Sequence, residues 1–490
     1  MLKKIIAILI LSSMFNCQSI AEELANIGNT LNEKEYPNAE SVLPKKEISD
    51  AEQDETTDEA SNSNLVIEGS VETNIDMTLD MCLELALGNN PQINSAFHDI
   101  LASDARIKQV WSNYFPQISW QTGYTKIRQL QLSDALGQNL TFNYFILGQV
   151  TLQQMLYDFG VTQNQATIKK LDYEGYKASL NAIINDVIFS TKDAYYNLLF
   201  SYENQKVAQD TVEKFGMFYN QAKAFYEIGT NPKVDVTIAE VNLSNAKLQL
   251  IQADIAVDLA IASLNNIMGV PFIDKYSVRE RLSYKPLKIT FEKSIEIAKE
   301  ARPELRLAEL KVESANQTVK LVKKSYFPTI SVEGQYQLGG KSWTSNYGYS
   351  LGGYLNFPTV NAMLINNEIK EAKFLYDAEL ANAKNTQNQI YLEIQNAYLT
   401  LSEKQDQMPV ALLYVKQAKE NYELSYGRYR VGEANPTELK DAQLNYQEAQ
   451  LNFYNALYQY NSAKSQLEKS IGKNLVTNED EIVELKTTKK

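Results

Sequence analysis

The chain is an internal duplication, and this feature constrains its fold more than any other. Residues 88–93 recur as residues 300–305, and residues 113–119 recur as residues 325–331. Both matches are displaced by 212 positions, and both contain a proline at the same place. Because similar segments in the same order form similar structures, a chain of 490 residues can build one elongated architecture from such a repeat.

Two pairs of glycines mark the later part of each copy. Gly229 pairs with Gly432, and Gly269 pairs with Gly472, at a displacement of 203. The first copy therefore holds about nine more residues between its early and late parts. A linker over residues 271–290 joins repeat 1 to repeat 2. The predicted repeats cover residues 76–270 and 291–472.

Each copy shows the same order of elements: a short helix, a proline, a second helix, two strands, and a very long helix with a returning partner. Residues 161–228 and 360–431 have about 70 positions each, which predicts helices of roughly 100 Å. Glycine and proline reverse the chain at 229–232 and 432–436, forming hairpin tips. Pro409 is expected to kink or interrupt the second long helix. A plain coiled coil would explain the helices but not the strands.

Four segments alternate apolar and polar residues with a period of two, which predicts strands. They cover about residues 117–127, 142–153, 329–339 and 347–357. Strands of about ten residues cross a bilayer when tilted. One face is apolar and aromatic, so we expect a lipid-facing side that includes Trp120, Tyr124, Tyr144, Tyr336 and Tyr349. The alternative is a soluble hairpin lying over a core.

The bulk composition limits how the chain can cross a membrane. Mean hydropathy is −0.34, and no stretch after the N-terminus is expected to approach the roughly 20 apolar residues of a spanning helix. Any crossing must therefore use strands. Four strands leave open edges, whose unpaired backbone groups are costly in lipid, so several chains must share one barrel. Three chains would supply 12 strands, but this reasoning alone does not fix the number.

The two ends of the chain carry different signals. Residues 1–21 resemble a secretory signal peptide, with Lys3 and Lys4 before an apolar core, and Cys17 leaves lipid modification as an alternative. Residues 22–75 hold 14 acidic and 3 basic residues, most of the net charge of −13, and are predicted to be disordered. Residues 473–490 are a predicted tail.

The residue inventory disfavours catalysis. The chain has one histidine, His98, and one cysteine beyond the signal peptide, Cys82, so a His/Cys metal cluster is impossible. No nucleophile motif accompanies His98, no phosphate-binding loop is present, and the acidity disfavours nucleic acid. No cofactor is expected. A secreted hydrolase and a periplasmic coiled-coil protein remain as rival classes.

Residues 77–472 resemble the TolC-like outer-membrane efflux protein family. The resemblance is carried by Tyr-Phe-Pro before each strand pair, ending at Pro116 and Pro328, by residues 156–160, and by the two glycine-marked tips. It implies a mainly α fold with transmembrane β: a long α-helical hairpin barrel plus four β-strands per chain, forming a 12-stranded trimeric β-barrel.

The resemblance also implies a function and partners. A homotrimer in the outer membrane of a Gram-negative bacterium would extend into the periplasm. It would contact a periplasmic adaptor (a membrane fusion protein) and an inner-membrane RND or ABC pump. Passive export of drugs, toxic compounds or proteins follows, and the choice between drug efflux and type I protein secretion stays open.

The resemblance assigns roles at the tips. The periplasmic entrance gate would comprise Asp235, Tyr429, Glu438 and Asp441. Threefold symmetry would repeat each carboxylate into a ring that favours cations. The alternative is that these acids merely stabilise helix N-termini.

The tips are also the expected adaptor contact: Ile228, Gly229, Thr230, Pro232, Val431, Gly432, Glu433 and Pro436. One position departs from the family pattern. Ala434 stands where the family often has an arginine that ties neighbouring hairpins together, and Arg430 lies on the other side of the turn. The contact that holds the closed state is therefore open.

Overall fold

The computed structural model describes residues 77–129, 140–230, 232–270, 276, 278, 281–340, 346–358, 361–431, 433 and 435–473. All of them belong to one structural unit, Val71–Lys490. The predicted signal peptide with Cys17, the acidic segment 22–75, most of the linker's first half and the tail beyond residue 473 lie outside the described residues.

In the described part of the first half, the helices and strands are α1 (Leu79–Asn89), α2 (Pro91–Trp111), β1 (Gln117–Gln129), β2 (Leu140–Tyr157), α3 (Val161–Glu227) and α4 (Lys233–Met268). Local sequence sets the early boundaries. Asn90 ends α1 with a bond from its backbone amide to the Ala86 carbonyl, and its side chain caps α2 by accepting a bond from the Gln92 amide. Pro91 takes the first helical position.

The second half repeats this order with α5 (Phe291–Ala301), α6 (Pro303–Lys323), β3 (Thr329–Gly340), β4 (Asn346–Asn356), α7 (Ala362–Arg430) and α8 (Pro436–Ile471). Short 3₁₀ turns precede both strand pairs, at Ser112–Tyr114 and Lys324–Tyr326. Arg302 stands at the position of Asn90 but does not cap with its side chain; its guanidinium instead pairs with Glu304 and Glu393.

The long helices reach the predicted length. α3 has 67 residues and α7 has 69, so each is about 100 Å long. The predicted interruption at Pro409 is wrong, because α7 is continuous through that residue. A proline removes one backbone bond and crowds the preceding turn. The neighbouring Met408 is buried in the core between α7 and α8, so packing maintains the helix there.

α4 corrects the prediction that no stretch after the N-terminus approaches the apolar character of a membrane-spanning helix. By length and composition this helix is apolar enough to cross a membrane, although only 33% of its apolar window is buried. Its apolar residues divide between two faces. Ala253, Val257 and Leu264 are buried, whereas Ile251, Ile255 and Leu259 are exposed. We interpret α4 as a helix with two packing faces, since one such helix is weak evidence for a membrane span.

The four strands form one antiparallel sheet in the order β1-β2-β3-β4. Residues paired across all four strands share a face. Two rows are mostly apolar: Trp120, Val150, Tyr336 and Tyr349; then Ile118, Leu152, Gly334 and Leu351. The rows between them are polar or glycine: Ser119, Thr151, Gln335 and Ser350; then Gln121, Gln149, Gln337 and Gly348. Among the described residues, the outer edges of β1 and β4 have no strand partner.

A bulge in β2 shifts the predicted alternation. β2 spans 18 residues, and Leu147 is an extra residue opposite both neighbouring strands. Beyond it, Tyr124 pairs with Phe145, and Thr125 pairs with Tyr144. The backbone of Tyr144 is therefore one residue out of register with that of Tyr124, because an inserted residue shifts the pairing that follows it.

Two equivalent cores hold the helices together. One surrounds Tyr195 and Leu198 of α3 with Leu264 of α4, and the other surrounds Ile394 and Leu401 of α7 with residues of α8. Each returning helix ends at a glycine in the left-handed region, Gly269 and Gly472. A Cβ on Gly269 would lie 2.5 Å from the carbonyl oxygen of Asn89, and one on Gly472 would lie 2.8 Å from that of Ala301. Only glycine fits these two contacts.

Candidate functional site

The junction between strands and helices is organised by Asp158. Its Oδ1 accepts hydrogen bonds from the Tyr114 hydroxyl at 2.6 Å and the Gly160 amide at 3.0 Å, and its Oδ2 accepts one from the Thr162 amide at 2.6 Å. Burial acts to raise the pKa of Asp158, but the bonds from Thr162 and Tyr114 outweigh it and lower that pKa. Burial and the neighbouring carboxylate raise the pKa of Tyr114 to about 12.

This junction explains the sequence motifs at the strand ends. Pro116 and Pro328 directly precede β1 and β3, where a missing amide donor does not weaken the sheet. Phe159 lies in the left-handed region at φ 54°, and its ring stacks on Phe327 with centroids 5.4 Å apart. The motif at residues 156–160 therefore links the end of the first strand pair to the start of the second.

Both long helices end with an equivalent backbone hydrogen bond. At the first tip, Gly229 has φ 80°, and the Thr230 amide donates to the Phe225 carbonyl at 2.9 Å. At the second, the Glu433 amide donates to the Arg428 carbonyl, also at 2.9 Å. These bonds close the end of each long helix. Gly432 and Ala434 lie outside the described residues.

Each tip presents one large apolar side chain to solvent. Ile228 is 74% exposed and Val431 is 68% exposed. Pro232 directly precedes α4, and Pro436 is the first residue of α8. Thr230 and Glu433 lie in the turns before them. The side chains of Ile228 and Val431 are therefore accessible at the predicted adaptor contact.

The structure brings two of the predicted gate residues together. Tyr429 of α7 is buried between the two hairpins, and its ring lies 6.4 Å from that of Phe225 on α3. Burial raises the pKa of Tyr429, and the negative charge of Asp235 on α4 raises it further. The two residues come from different copies of the repeat, so this contact joins the hairpins just above their tips.

The other two predicted gate acids lie beside basic residues. The Glu438 carboxylate accepts a hydrogen bond from the Arg428 guanidinium at 2.6 Å. Asp441 lies 3.8 Å from the Lys440 ammonium. In the described part of the chain, no group of three or more His, Cys, Asp and Glu residues is placed to hold a metal ion.

An apolar cluster lies between the four long helices, next to the tips. Phe215 and Phe218 of α3 pack with Ala246 of α4, Tyr429 of α7 and Leu439 of α8, all of them buried. All four long helices therefore contribute to one small core near the turns, and a movement of either hairpin must disturb it.

A family model, described as outer membrane efflux protein, matches residues 82–270 and 294–473, about three-quarters of the chain. The chain belongs to the outer membrane efflux protein family. The two matched segments correspond to the two halves of the fold.

Two relatives share about a fifth of their residues with this efflux protein. It is 20% identical to the probable efflux pump outer membrane protein TtgC of Pseudomonas putida over 401 residues, 78% of each chain. It is 22% identical to the outer membrane protein TolC of Vibrio cholerae, covering 78% of this chain and 88% of that one. The solved CmeC outer membrane channel of Campylobacter jejuni shares the fold, with a TM-score of 0.69, 20% identity, and coverage of 89% of this chain and 97% of CmeC.

Membership of the efflux protein family confirms the predicted fold class, the outer-membrane location and the role in export. The individual gate and adaptor residues stay predictions. So do the lipid-facing positions of Trp120, Tyr124, Tyr144, Tyr336 and Tyr349. Of these, Trp120 and Tyr349 are among the most exposed aromatic residues of the sheet.

The sequence did not point to two residues of this efflux protein, Arg428 and Lys214. Arg428 pairs with a predicted gate acid ten positions away. The Lys214 ammonium of α3 lies beside the stacked rings of Tyr422 and Tyr446, 5.1 and 4.8 Å from their centroids. Burial lowers the pKa of Lys214. Alignment of the two copies could have singled out Arg428, because the first copy has Phe225 at that position.

Proposed function

We propose that three copies of this chain form a closed channel that conducts solutes passively out of the periplasm and through the outer membrane. The observation that carries the proposal is the four-stranded sheet, with alternating apolar and polar rows and two open edges. A membrane sheet must close on itself, because unpaired edge groups cost several kcal/mol each in lipid.

The strand directions allow that closure. β1 and β3 run one way and β2 and β4 run the other, so β4 of one copy meets β1 of the next in antiparallel fashion. Three copies supply 12 strands, an even number within the range of outer-membrane barrels. The apolar rows then face lipid, and the rows of Ser, Thr and Gln line water.

The helices support the same assembly. Within one chain, α3 of the first hairpin packs against α8 of the second. The duplication places α7 and α4 in the equivalent relation between neighbouring copies. Both helices expose rows of large apolar residues, among them Leu248, Ile255 and Leu259 on α4 and Leu392, Leu399 and Leu413 on α7. Burying these rows would give the helices a continuous ring.

The tips form the periplasmic entrance in this proposal. Asp235, Glu438 and Asp441 supply fixed negative charge there, Tyr429 ties the hairpins together, and Ile228 and Val431 offer contacts to a periplasmic adaptor. The protein acts as a duct without catalysis, and an inner-membrane pump of the RND or ABC class supplies the energy. Either small toxic compounds or proteins could pass, since one bore can serve both.

Reconstitution tests the channel itself. Purified protein added to a planar bilayer should produce discrete conductance steps, and unheated samples should migrate as a trimer that dissociates on boiling. Cell fractionation should find the protein in the outer membrane. A soluble periplasmic protein without conductance would contradict the proposal and favour the coiled-coil alternative.

A second experiment tests the entrance. Changing Asp235, Glu438 and Asp441 together to the corresponding amides should weaken the preference for potassium over chloride at low ionic strength, because the charged rings are removed. Unchanged selectivity in a variant that still conducts would show that these acids only cap their helices.

A further inference from the structure

One polar side chain of α8 is sealed inside the protein near the tips. Gln443 is only 1% exposed. Its amide nitrogen and its amide oxygen are both buried, and neither has a hydrogen-bond partner among the described residues. An amide can make several hydrogen bonds, and buried amides in native proteins usually make at least one, so the position of Gln443 requires an explanation.

The residues one helical turn away place Gln443 against the first hairpin. Leu439, four positions before it, belongs to the same buried apolar cluster as Phe215 of α3. Gln447, four positions after it, donates from its side-chain nitrogen to the side-chain oxygen of Gln249 on α4 at 3.1 Å. Side chains four positions apart share one face of a helix. The face of α8 that carries Gln443 is therefore the face that contacts the first hairpin.

Gln447 and Gln443 have the same side chain but different hydrogen bonding. Gln447 is also buried, at 8% exposed, and its bond to Gln249 replaces a bond to water. The amide of Gln443 gives up its bonds to water and gains none from the described residues. A buried polar group without a partner costs more free energy than an ordinary hydrogen bond contributes. Contact between the hairpins at Gln443 is therefore opposed by the cost of burying this amide.

The surroundings of Gln443 do not select a polar side chain for packing. Leu439 and Ala442, on the same side of α8, are buried and apolar. In the first copy the equivalent residue is Glu240 of α4, which is exposed in the single chain. The repeat therefore has a polar residue at both positions, and only the one on α8 is buried between the hairpins of one chain.

We propose that Gln443 favours opening of the entrance: separation of the hairpins returns its amide to water, so the amide lowers the free energy needed to part the tips. The inference rests on the proposed function, because it assumes that the tips must separate for solutes to pass. The apolar cluster around Tyr429 holds the same part of the hairpins together, so the cluster and the amide act in opposite directions. Gln443 lies outside the predicted gate and the predicted adaptor contact.

Gln443→Met tests the inference, because methionine has a similar length and shape and no group that needs a hydrogen bond. In single-channel recordings, the fraction of time in the fully open state should fall about fivefold or more relative to the wild-type protein. Amide hydrogen exchange of residues 436–450 should slow by a similar factor. The exchange measurement uses the purified protein and does not depend on conduction.

Two further variants determine the direction of the effect. Gln443→Glu copies the first repeat and should raise the open fraction and speed exchange, because an ionised carboxylate costs more to bury than an amide. Gln447→Met is the matched control, since it makes the same change one turn away. It removes a bond between the hairpins, so it should neither lower the open fraction nor slow exchange.

The outcomes separate this inference from the proposed function. No conductance from the wild-type protein would refute the channel, and slower exchange in Gln443→Met would still support the opposing amide. Conductance with the same open fraction and the same exchange in the wild-type protein and Gln443→Met would overturn the inference and leave the channel intact. Equal effects of Gln443→Met and Gln447→Met would also overturn it. If Gln443→Met does not fold, an unchanged open fraction in Gln443→Glu would overturn it.

Discussion

The two helical hairpins have nearly the same dimensions and opposite surroundings. α3 and α7 have 67 and 69 residues, and their partners α4 and α8 have 36 each. α3 packs against α8 within the chain, and we call this contact the in-chain joint. α7 and α4 carry the equivalent faces, which are exposed in the single chain, and we call these two faces the open joint.

The in-chain joint is built from charges and hydroxyls. Lys192 and Glu468 form a buried ion pair at 2.6 Å, and Lys469 lies 2.9 Å from Asp186. Asp193 accepts hydrogen bonds from Ser462 and Tyr458 of α8, at 2.5 and 3.2 Å.

The open joint has amides and aliphatic residues at the equivalent positions. Gln395 and Asn265 replace the buried ion pair, and Gln389 and Asn266 replace the pair of Asp186 with Lys469. Leu259 and Ile255 stand in place of Ser462 and Tyr458 and are exposed.

This difference suggests that the in-chain joint contributes specificity and the open joint contributes affinity. Buried ion pairs contribute little net stability but select their partner and register, because a wrong partner leaves a buried charge uncompensated. Apolar faces contribute affinity without such selectivity. A charged in-chain joint therefore favours pairing within the chain, and the open joint can then associate with another copy.

The largest expected effect comes from placing charge in the open joint. Ile255→Asp combined with Leu259→Asp should abolish trimer formation, because burial of each large aliphatic side chain contributes about 1.5–3 kcal/mol and a buried carboxylate opposes association. Unheated gel migration and light scattering would measure the loss. Ile255→Leu with Leu259→Ile keeps the apolar character and should still form trimers. A stable trimer of the double aspartate variant would show that this face is not the interface.

Breaking the in-chain joint should have the next largest effect. Lys192→Met removes the ammonium group beside the buried Glu468 carboxylate and should destabilise the protein by about 3–5 kcal/mol. Lys192→Gln with Glu468→Asn copies the open joint and should recover most of that loss. Thermal unfolding followed by circular dichroism would compare them. If the double variant is no more stable than the single one, the two joints are not interchangeable.

A smaller effect is expected where strands meet helices. Asp158→Asn should cost about 1.5–3 kcal/mol at neutral pH, since hydrogen bonds to a charged group are lost. The equivalent residue of the second half, Asn361, already caps α7 without a charge, through a bond from the Leu364 amide at 3.1 Å.

The pH dependence follows from the lowered pKa of Asp158. The stability it contributes is fully present above its ordinary value of 3.8 and is lost as the pH falls through the lower folded value. The difference in unfolding temperature between wild type and Asp158→Asn should therefore narrow in acid. A difference that is constant with pH would assign the effect to packing.

The smallest effect is expected at Lys214, whose equivalent in the second copy is Gln417. Lys214→Met keeps an aliphatic side chain against Tyr422 and Tyr446 but removes the cation. It should lower the free energy of unfolding by about 1 kcal/mol. Lys214→Arg serves as the control and should retain the interaction. Chemical unfolding would measure the stability of both variants. Equal stability of all three proteins would show that the Lys214 cation does not stabilise the in-chain joint.

Much of the architecture follows from the sequence because it rests on periodic and repeated features. The displacement of the glycines predicted both tips, and Gly229 and Gly269 do adopt left-handed conformations. The alternation around Trp120 and Tyr336 predicted the strands, and those two residues lie in one cross-strand row.

The features that the sequence did not predict are those that tertiary contacts determine. Pro409 has an unfavourable propensity that packing overrides. The extra residue Leu147 cannot be located before the partner strands are known. The contact of Arg428 with Glu438 depends on the geometry of the turn between them. Each of these three features depends on contacts with residues outside the local sequence segment.

The glycines that end the returning helices fix the position of each helix root. Gly269 and Gly472 press against the carbonyls of Asn89 and Ala301, so the root of each returning helix has a fixed pivot. From that pivot, 36 residues extend about 54 Å to the tip. Such a rigid arm multiplies a tilt of about 5° into a displacement of about 5 Å at its far end. In the proposed channel, such a tilt would widen the entrance while the distant sheet hardly moves.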